Sequence, residues 1–216
     1  VTAIHFGSHE RVRKGVLRKY NYFGFDGGVS IGIAGVDARG DGINYYYTID
    51  DDEHGGDSDA YLHIQTIHVD MVIPANSSDP SVSIKGWLSI PEPGEFQEYQ
   101  GGVSLKIKNP RIAGGVDMRL APKYPAFLID ANIELPNPIA LGPVSIYGFR
   151  GLLGYRYVAE KEAIGMTSQN TWYQYYTAPQ RGVNVRKFNR PDKTAHYSFP
   201  FSLGVGAIIG DTMAAG

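Results

Sequence analysis

The chain has 216 residues, 43% hydrophobic and 12% aromatic, a length that can bury the core of one large β domain or two smaller ones. Its 20 basic and 22 acidic residues leave a net charge of −2, which argues against nucleic acid or an anionic membrane surface as a partner. The absence of cysteine excludes disulfides, thiolate zinc sites and cysteine nucleophiles, so packing and strand pairing must hold the fold.

The first notable segment, residues 5–20, is the most basic part of the chain. Apolar residues alternate with these charges, and an element with one apolar side has a polar side that faces solvent. We therefore interpret the basic residues as the solvated face of a strand or short helix. A phosphate-binding arm is the alternative. The basic residues are Arg11, Arg13, Lys14, Arg18 and Lys19.

A polar run, Arg39-Gly40-Asp41-Gly42, separates two strand-like stretches. Glycine and aspartate tolerate positive φ. We therefore predict a hairpin turn here, and we set aside the integrin-binding interpretation of the Arg-Gly-Asp tripeptide.

Residues 50–59 form the most acidic segment. A turning backbone could bring its oxygens around a hard cation, so we consider a Ca²⁺ site at Asp50, Asp52, Asp57 and Asp59. The spacing does not match an EF-hand loop, and an acidic solvated loop is the favoured alternative. No cofactor other than this Ca²⁺ is expected.

A long strand is predicted over residues 61–73, with His63 and His68 on opposite faces because they are five residues apart. This separation argues against a joint metal site.

The stretch from residue 101 to residue 156 alternates most clearly. One segment puts Ile129 and Ile133 on one side, together with Phe127, Ala131 and Leu135, and puts Leu128 and Asp130 on the other. We favour the isoleucine side as ordinary core. The alternative is an apolar groove, which requires that no second layer covers this side.

Residues 166–193 are predicted to form an irregular aromatic-rich loop. Its side chains suit sugar stacking or a protein interface, and a covering loop pinned by its aromatics is the alternative. The candidate ligand-binding residues are Trp172, Tyr173, Tyr175, Tyr176 and Arg181.

Together these patterns predict an all-β fold of about ten mostly antiparallel strands with few or no helices. A sandwich, a curled open sheet and a barrel-like tube all remain open. We treat residues 1–216 as one β-rich region and expect it to be an internal piece of a longer chain.

Four segments, residues 62–74, 88–106, 122–162 and 199–210, resemble a family of very large bacterial β-rich proteins, the domain of unknown function DUF6603. The resemblance implies a bacterial origin and a fragment of a giant multi-strand polypeptide. It assigns no activity and no functional residue.

No nucleophile elbow, zinc-protease motif, dinucleotide fingerprint or kinase signature is present. We therefore expect a non-catalytic structural or interaction segment whose partners are protein neighbours or further segments of the same chain. The alternatives are a binding module, with an apolar groove for lipid or an aromatic surface for glycan, and a glycoside-active enzyme. We predict no transmembrane segment and a soluble or surface-associated location.

Overall fold

The computed structural model describes residues 1–13, 15–31, 35–48, 58–75, 77–159, 188–191 and 200–211. The chain divides into two compact units, Val1–Leu105 and Lys106–Gly216. None of the described residues is helical, and every described strand pairing is antiparallel. The predicted all-β class and the predicted strand orientation are therefore confirmed.

The first unit is a meander in which each strand lies beside the next one in sequence. Hairpin connections favour this arrangement because they return the chain directly along its own edge. The strands are β1 (Ala3–Arg13), β2 (Val16–Ile31), β3 (Val36–Tyr47), β4 (Ala60–Ile73), β5 (Val82–Ser89) and β6 (Tyr99–Ile107).

The second unit contains a four-stranded antiparallel sheet in the order β7-β8-β9-β12, with a separate strand pair β10-β11. A two-residue turn, Gly142-Pro143, joins β8 to β9, and its glycine has a φ of 69°. The strands are β7 (Ile112–Ala121), β8 (Ala126–Leu141), β9 (Val144–Tyr155), β10 (Val158–Ala159), β11 (Phe188–Asn189) and β12 (Phe201–Asp211).

Neither strand order returns to its first strand, so each sheet is open. Of the three architectures left open by the sequence, the open sheet therefore describes each unit. The predicted strand at 61–73 is confirmed as β4, which begins one residue earlier.

The hairpin turn predicted at Arg39-Gly40-Asp41-Gly42 is wrong, because these residues lie inside β3. The pairing of β2 with β3 shifts there between Phe25 and Gly27. Gly42 has a φ of 63° and donates its backbone N–H to Asp26 Oδ1 at 2.6 Å, which lowers the pKa of Asp26. Gly42 therefore does adopt the positive φ that the sequence predicts, but it does so in a β-bulge and not in a turn.

The buried face of the second unit is the opposite of the one expected. Leu128 and Asp130 are 1% and 4% exposed, whereas Ile133, on the expected core side, is 45% exposed. Alternation correctly separated the two sides of β8. The choice of side was wrong, since Arg150 pairs with Asp130 on that side and Arg119 contacts Phe188 of β11 there.

Candidate functional site: an exposed apolar sheet face

The four main strands of the second unit align their apolar side chains in rows across the sheet. Paired residues on neighbouring strands project to the same side, so the strand register assigns each row to one face. From end to end the rows are Leu120-Phe127-Tyr155-Phe201, Met118-Ile129-Leu153-Leu203, Val116-Ala131-Gly151-Val205 and Gly114-Ile133-Phe149-Ala207. We call this surface the apolar face.

Much of the apolar face is open to solvent. Phe149 and Leu153 in β9 are each 40% exposed, and Leu203 and Val205 in β12 are 71% and 95% exposed. A carbon atom added at Gly151 would meet no described residue within 4 Å, so none of the described side chains fills the space directly above this position. Ordinary core residues would be covered by a second layer.

Aromatic side chains close one end of the apolar face. The ring of Tyr155 lies 6.1 Å from that of Phe127 and 5.1 Å from that of Phe201. The Arg156 guanidinium lies 5.2 Å from the Tyr155 ring centre and donates from Nη1 to Tyr124 O at 2.9 Å. Arg156 has a φ of 58°, and its backbone N–H donates to Pro200 O. This end is therefore anchored by a cation on a ring and by backbone bonds.

The opposite face of the same sheet buries an ion pair. Arg150 Nε donates to Asp130 Oδ1 at 2.8 Å, and its Nη2 donates to Asp130 Oδ2. These hydrogen bonds to the carboxylate raise the pKa of Arg150. The two-point contact satisfies a nearly buried carboxylate, which a sheet face could not otherwise tolerate.

Strands β10 and β11 help to cover this charged face. Phe188 in β11 is 5% exposed, and Tyr157, just before β10, is 1% exposed. Arg119 lies 5.2 Å from the Tyr157 ring centre and donates from Nη1 to Phe188 O at 3.4 Å. Ser202 Oγ donates to Tyr157 O at 2.6 Å. Side chains of β7 and β12 thus hold the covering segment in place.

The first unit also buries a polar face, built around three tyrosines. Tyr46 and Tyr61 stack at 4.9 Å, and Tyr20 meets Tyr61 edge-on at 5.5 Å. The guanidinium of Arg13 lies 4.3 Å from the Tyr61 ring centre, and that of Arg11 lies 4.8 Å from the Tyr46 ring centre. The solvated face predicted for the basic segment is therefore wrong for Arg11, whose side chain is only 10% exposed.

Residues 90–98, which we call the strap, cover this tyrosine cluster. Glu92 in the strap pairs with Arg11 and accepts the Tyr46 hydroxyl at 3.2 Å. His63 Nε2 lies 3.1 Å from Ile90 O, so the tautomer protonated at Nε2 donates to the strap. Burial lowers the pKa of His63. His68 forms a separate pair with Asp41, as the predicted opposite faces require.

Several buried polar atoms of this cluster have no hydrogen-bond partner among the described residues. They include Arg11 Nε, the Tyr61 hydroxyl and His63 Nδ1, which lies 3.8 Å from Glu92 Oε1. Burial is also the main cause of the raised pKa of Tyr61. The cluster is therefore only partly satisfied, and its stability depends on the strap.

The outward face of the first unit is apolar, like that of the second. Its clearest row is Phe6-Phe23-Tyr45-Leu62, which crosses β1 to β4. All four side chains are between 46% and 72% exposed, and the Phe6 and Phe23 rings lie 5.4 Å apart. Taken separately, each unit buries its charged face and exposes an apolar one.

Most residues of the predicted sites lie outside the described residues. This applies to the aromatic candidates Trp172, Tyr173, Tyr175, Tyr176 and Arg181, and to Asp50, Asp52 and Asp57 of the predicted Ca²⁺ site. Asp59 is described, and its Oδ2 accepts from Arg13 at 2.8 Å and from the Tyr20 hydroxyl at 2.9 Å. Burial and this bond raise the pKa of Tyr20. Among residues whose positions are described, no cluster of three metal-binding side chains occurs.

The sequence interpretation missed the ion pairs that select the buried faces. One signal was available, since Asp130 and Arg150 are charges within strongly alternating segments. A single charged side chain in such a segment indicates either that its face is exposed to solvent or that it is buried beside a partner on another strand. Nothing in the alternation identifies the partner of Glu92, which lies outside the strands.

Comparison of the chain with protein-family models, curated proteins and solved structures finds no match. Within the described part of the chain, no helix is long and apolar enough to span a membrane.

Proposed function

We propose that this chain is a non-catalytic binding segment whose apolar face in the second unit receives the acyl chain of a lipid. The observation that carries the proposal is the inverted burial of this sheet, with Asp130 4% exposed and Leu203 71% exposed on the other side. An exposed apolar surface of this kind marks a binding surface more often than a plain protein exterior.

The size of the apolar face favours a small occupant. Four rows and four strands cover roughly 27 Å by 19 Å, or about 500 Å², at ordinary strand spacings. A stable protein–protein interface needs about 800 Å² on each partner. One lipid chain can be held by a smaller area than a folded protein partner requires.

The chemistry of the apolar face also suits an acyl chain. Tyr155 provides the only hydrogen-bonding hydroxyl or amide side chain in the four rows. A hydrocarbon chain needs no such partner, and each buried methylene contributes about 0.8 kcal/mol. A protein partner would ordinarily find hydrogen-bonding groups around its contact surface.

The charged side chains support a binding role over a catalytic one. Arg150 holds Asp130 on the buried face, while Arg11 and Arg13 hold Glu92 and Asp59 in the first unit. Each acid is thus neutralised by a cation from a neighbouring segment. None of these pairs lies on the apolar face.

The test is equilibrium dialysis of the full chain against palmitate, with native mass spectrometry of the purified protein to detect a co-purified lipid. A single acyl chain held by hydrophobic contact gives an association constant of about 10⁴ M⁻¹ at membranes, and we expect that order here. Ile133→Asp and Leu153→Asp should each weaken binding about tenfold by placing a charge on the apolar face.

Asn132→Asp is the matched control, because Asn132 is exposed on the opposite face of β8 and gains the same charge. It should bind palmitate as the unchanged protein does. Equal loss in the control, or no binding by the unchanged protein, would refute the proposed function.

A structural role within a larger β assembly is the second candidate function. The observation that favours it is the outer edge of β12, where Val205 is 95% exposed. The glycan-binding and Ca²⁺ hypotheses remain predictions, since their residues lie largely outside the described part of the chain.

A further inference from the structure

In the part of the chain that the structure describes, strand β12 is paired along one edge and open along the other. It pairs with β9 over Phe201–Asp211, and no other described strand lies along its second edge. Leu203 and Ile209 are 71% and 62% exposed. An unpaired edge presents a row of backbone N–H and C=O groups that can pair with another strand.

The outer edges β1 and β12 differ sharply in charge. Strand β1 carries Glu10, Arg11 and Arg13, the kind of charges that discourage pairing with a second chain. Strand β12 carries no charge from Phe201 to Gly210, and its only charged residue is Asp211 at the end. The open edge of β12 therefore has none of the usual charge protection.

We propose that β12 pairs antiparallel with β12 of a second copy of this chain, around a two-fold axis at Val205. In this register Leu203 lies opposite the second copy's Ala207, and Ser202 lies opposite its Ile208. The register shift between Ile208 and Ile209 limits regular pairing to about this length. The contact is self-complementary, as a two-fold axis requires.

The pleat of the sheet agrees with this register. Odd-numbered residues from 201 to 207 lie on the apolar face, and antiparallel pairing about Val205 matches odd residues with odd residues. The apolar faces of both copies therefore lie on the same side of one continuous sheet. Main-chain hydrogen bonds supply the affinity, and no like charges meet between residues 202 and 208.

The first test is sedimentation equilibrium of the full chain over a dilution series. The unchanged protein should form dimers, and Val205→Lys and Val205→Glu should each weaken dimerisation at least about tenfold, because like charges meet at the axis. An equimolar mixture of the two variants should restore dimers. Val205 is 95% exposed, so neither change disturbs packing within one copy.

Phe6→Lys on β1 is the control, because this side chain is also highly exposed and lies on the other outer strand. It should leave the dimerisation constant unchanged. A monomeric unchanged protein, or dimers that persist in Val205→Lys, would overturn the proposal. Dimers that depend on Ile133 but not on Val205 would show that copies meet through their apolar faces, which also overturns it.

The absence of native cysteine permits a second test by oxidation. Opposed antiparallel residues have Cα atoms about 4.5–5.5 Å apart, which suits a disulfide. Val205→Cys should therefore cross-link into covalent dimers. Leu203→Cys should not, since its two copies lie about 14 Å apart in this register. The reverse pattern would refute an axis at Val205.

Discussion

At the scale of single residues, Asp130 shows how the fold compensates a buried charge with a partner on a neighbouring strand. Asp130 lies almost fully buried among Leu128 and Leu152, where an unpaired carboxylate would cost several kcal/mol. Arg150 offsets this cost through two-point contact. A buried ion pair of this kind adds little net stability to the folded state. Removing only one of its two residues is strongly destabilising, because the other charge stays buried without a partner.

Arg150→Met should therefore reduce the free energy of unfolding by about 3 kcal/mol, because it leaves Asp130 buried without its cation. Denaturant unfolding measures this loss. The double variant Asp130→Leu with Arg150→Met should recover most of the stability, since it removes both charges together. A double variant less stable than Arg150→Met would contradict this account.

His63 should make stability depend on pH. Its pKa in the folded protein is lowered by burial, so the unfolded chain binds a proton that the folded protein does not. Stability should be fully present above the unfolded value of about 6.5 and should fall as the pH drops from there towards the folded pKa. Denaturant unfolding at several pH values measures the slope.

His63→Gln keeps a donor for Ile90 O without titrating, so it should flatten this slope. Arg11, Glu92 and Glu95 also act on His63 and stay unchanged in this variant. Leu62→Gln is the control, because it introduces the same side chain at an exposed position of β4 and removes no titrating group, so its slope should match that of the unchanged protein. An unaltered slope in His63→Gln would assign the pH dependence to other groups.

At the scale of elements, the strap shows how an irregular segment determines which face of a sheet is buried. The strap is not part of a β-strand. Its backbone is held by single hydrogen bonds, such as Ile90 N–H to Gln65 O at 2.9 Å and Glu98 N–H to Phe96 O at 2.8 Å. Glu92 provides its contacts with Arg11 and Tyr46. The position of the strap therefore depends strongly on one carboxylate.

Glu92→Ala should loosen the strap while leaving the strands paired. We expect amide hydrogen exchange at Ile90 and Glu98 to rise at least about tenfold, because the charge-assisted bonds to Arg11 and Tyr46 are lost. Exchange within β3 and β4 should change little. Glu10→Ala, an exposed position on β1, is the control; a uniform rise across the first unit would indicate general destabilisation instead.

At the scale of the whole molecule, each unit exposes an apolar face that a compact protein would bury. The heat capacity change of unfolding follows the apolar surface that becomes exposed. Surfaces that are already wet in the folded state contribute nothing to this change.

Calorimetric unfolding of the unliganded protein should therefore give a heat capacity change below the roughly 2.6–3.2 kcal/mol/K typical of this length. Palmitate should raise the unfolding temperature, since it binds the folded state alone. A heat capacity change at or above the typical value would show that both apolar faces are covered in solution.

The alternation of residues was enough to predict the class, the antiparallel strands and the two sides of β4 and β8. It is a local property, because successive side chains in a strand point to opposite faces whatever lies around them. The same locality explains why the pattern around Gly40 and Gly42 predicts a turn although both residues lie inside β3. A bulge and a turn need the same backbone freedom, and only the partner strand distinguishes them.

The tertiary structure alone decided which face of each sheet is buried. Two faces of one strand are equivalent until something packs on one of them. That choice was made by contacts between distant residues, such as Arg13 with Asp59 and Arg119 with Phe188. These contacts compensate the charges on the buried face, and such long-range pairing cannot be inferred from the alternation within one strand.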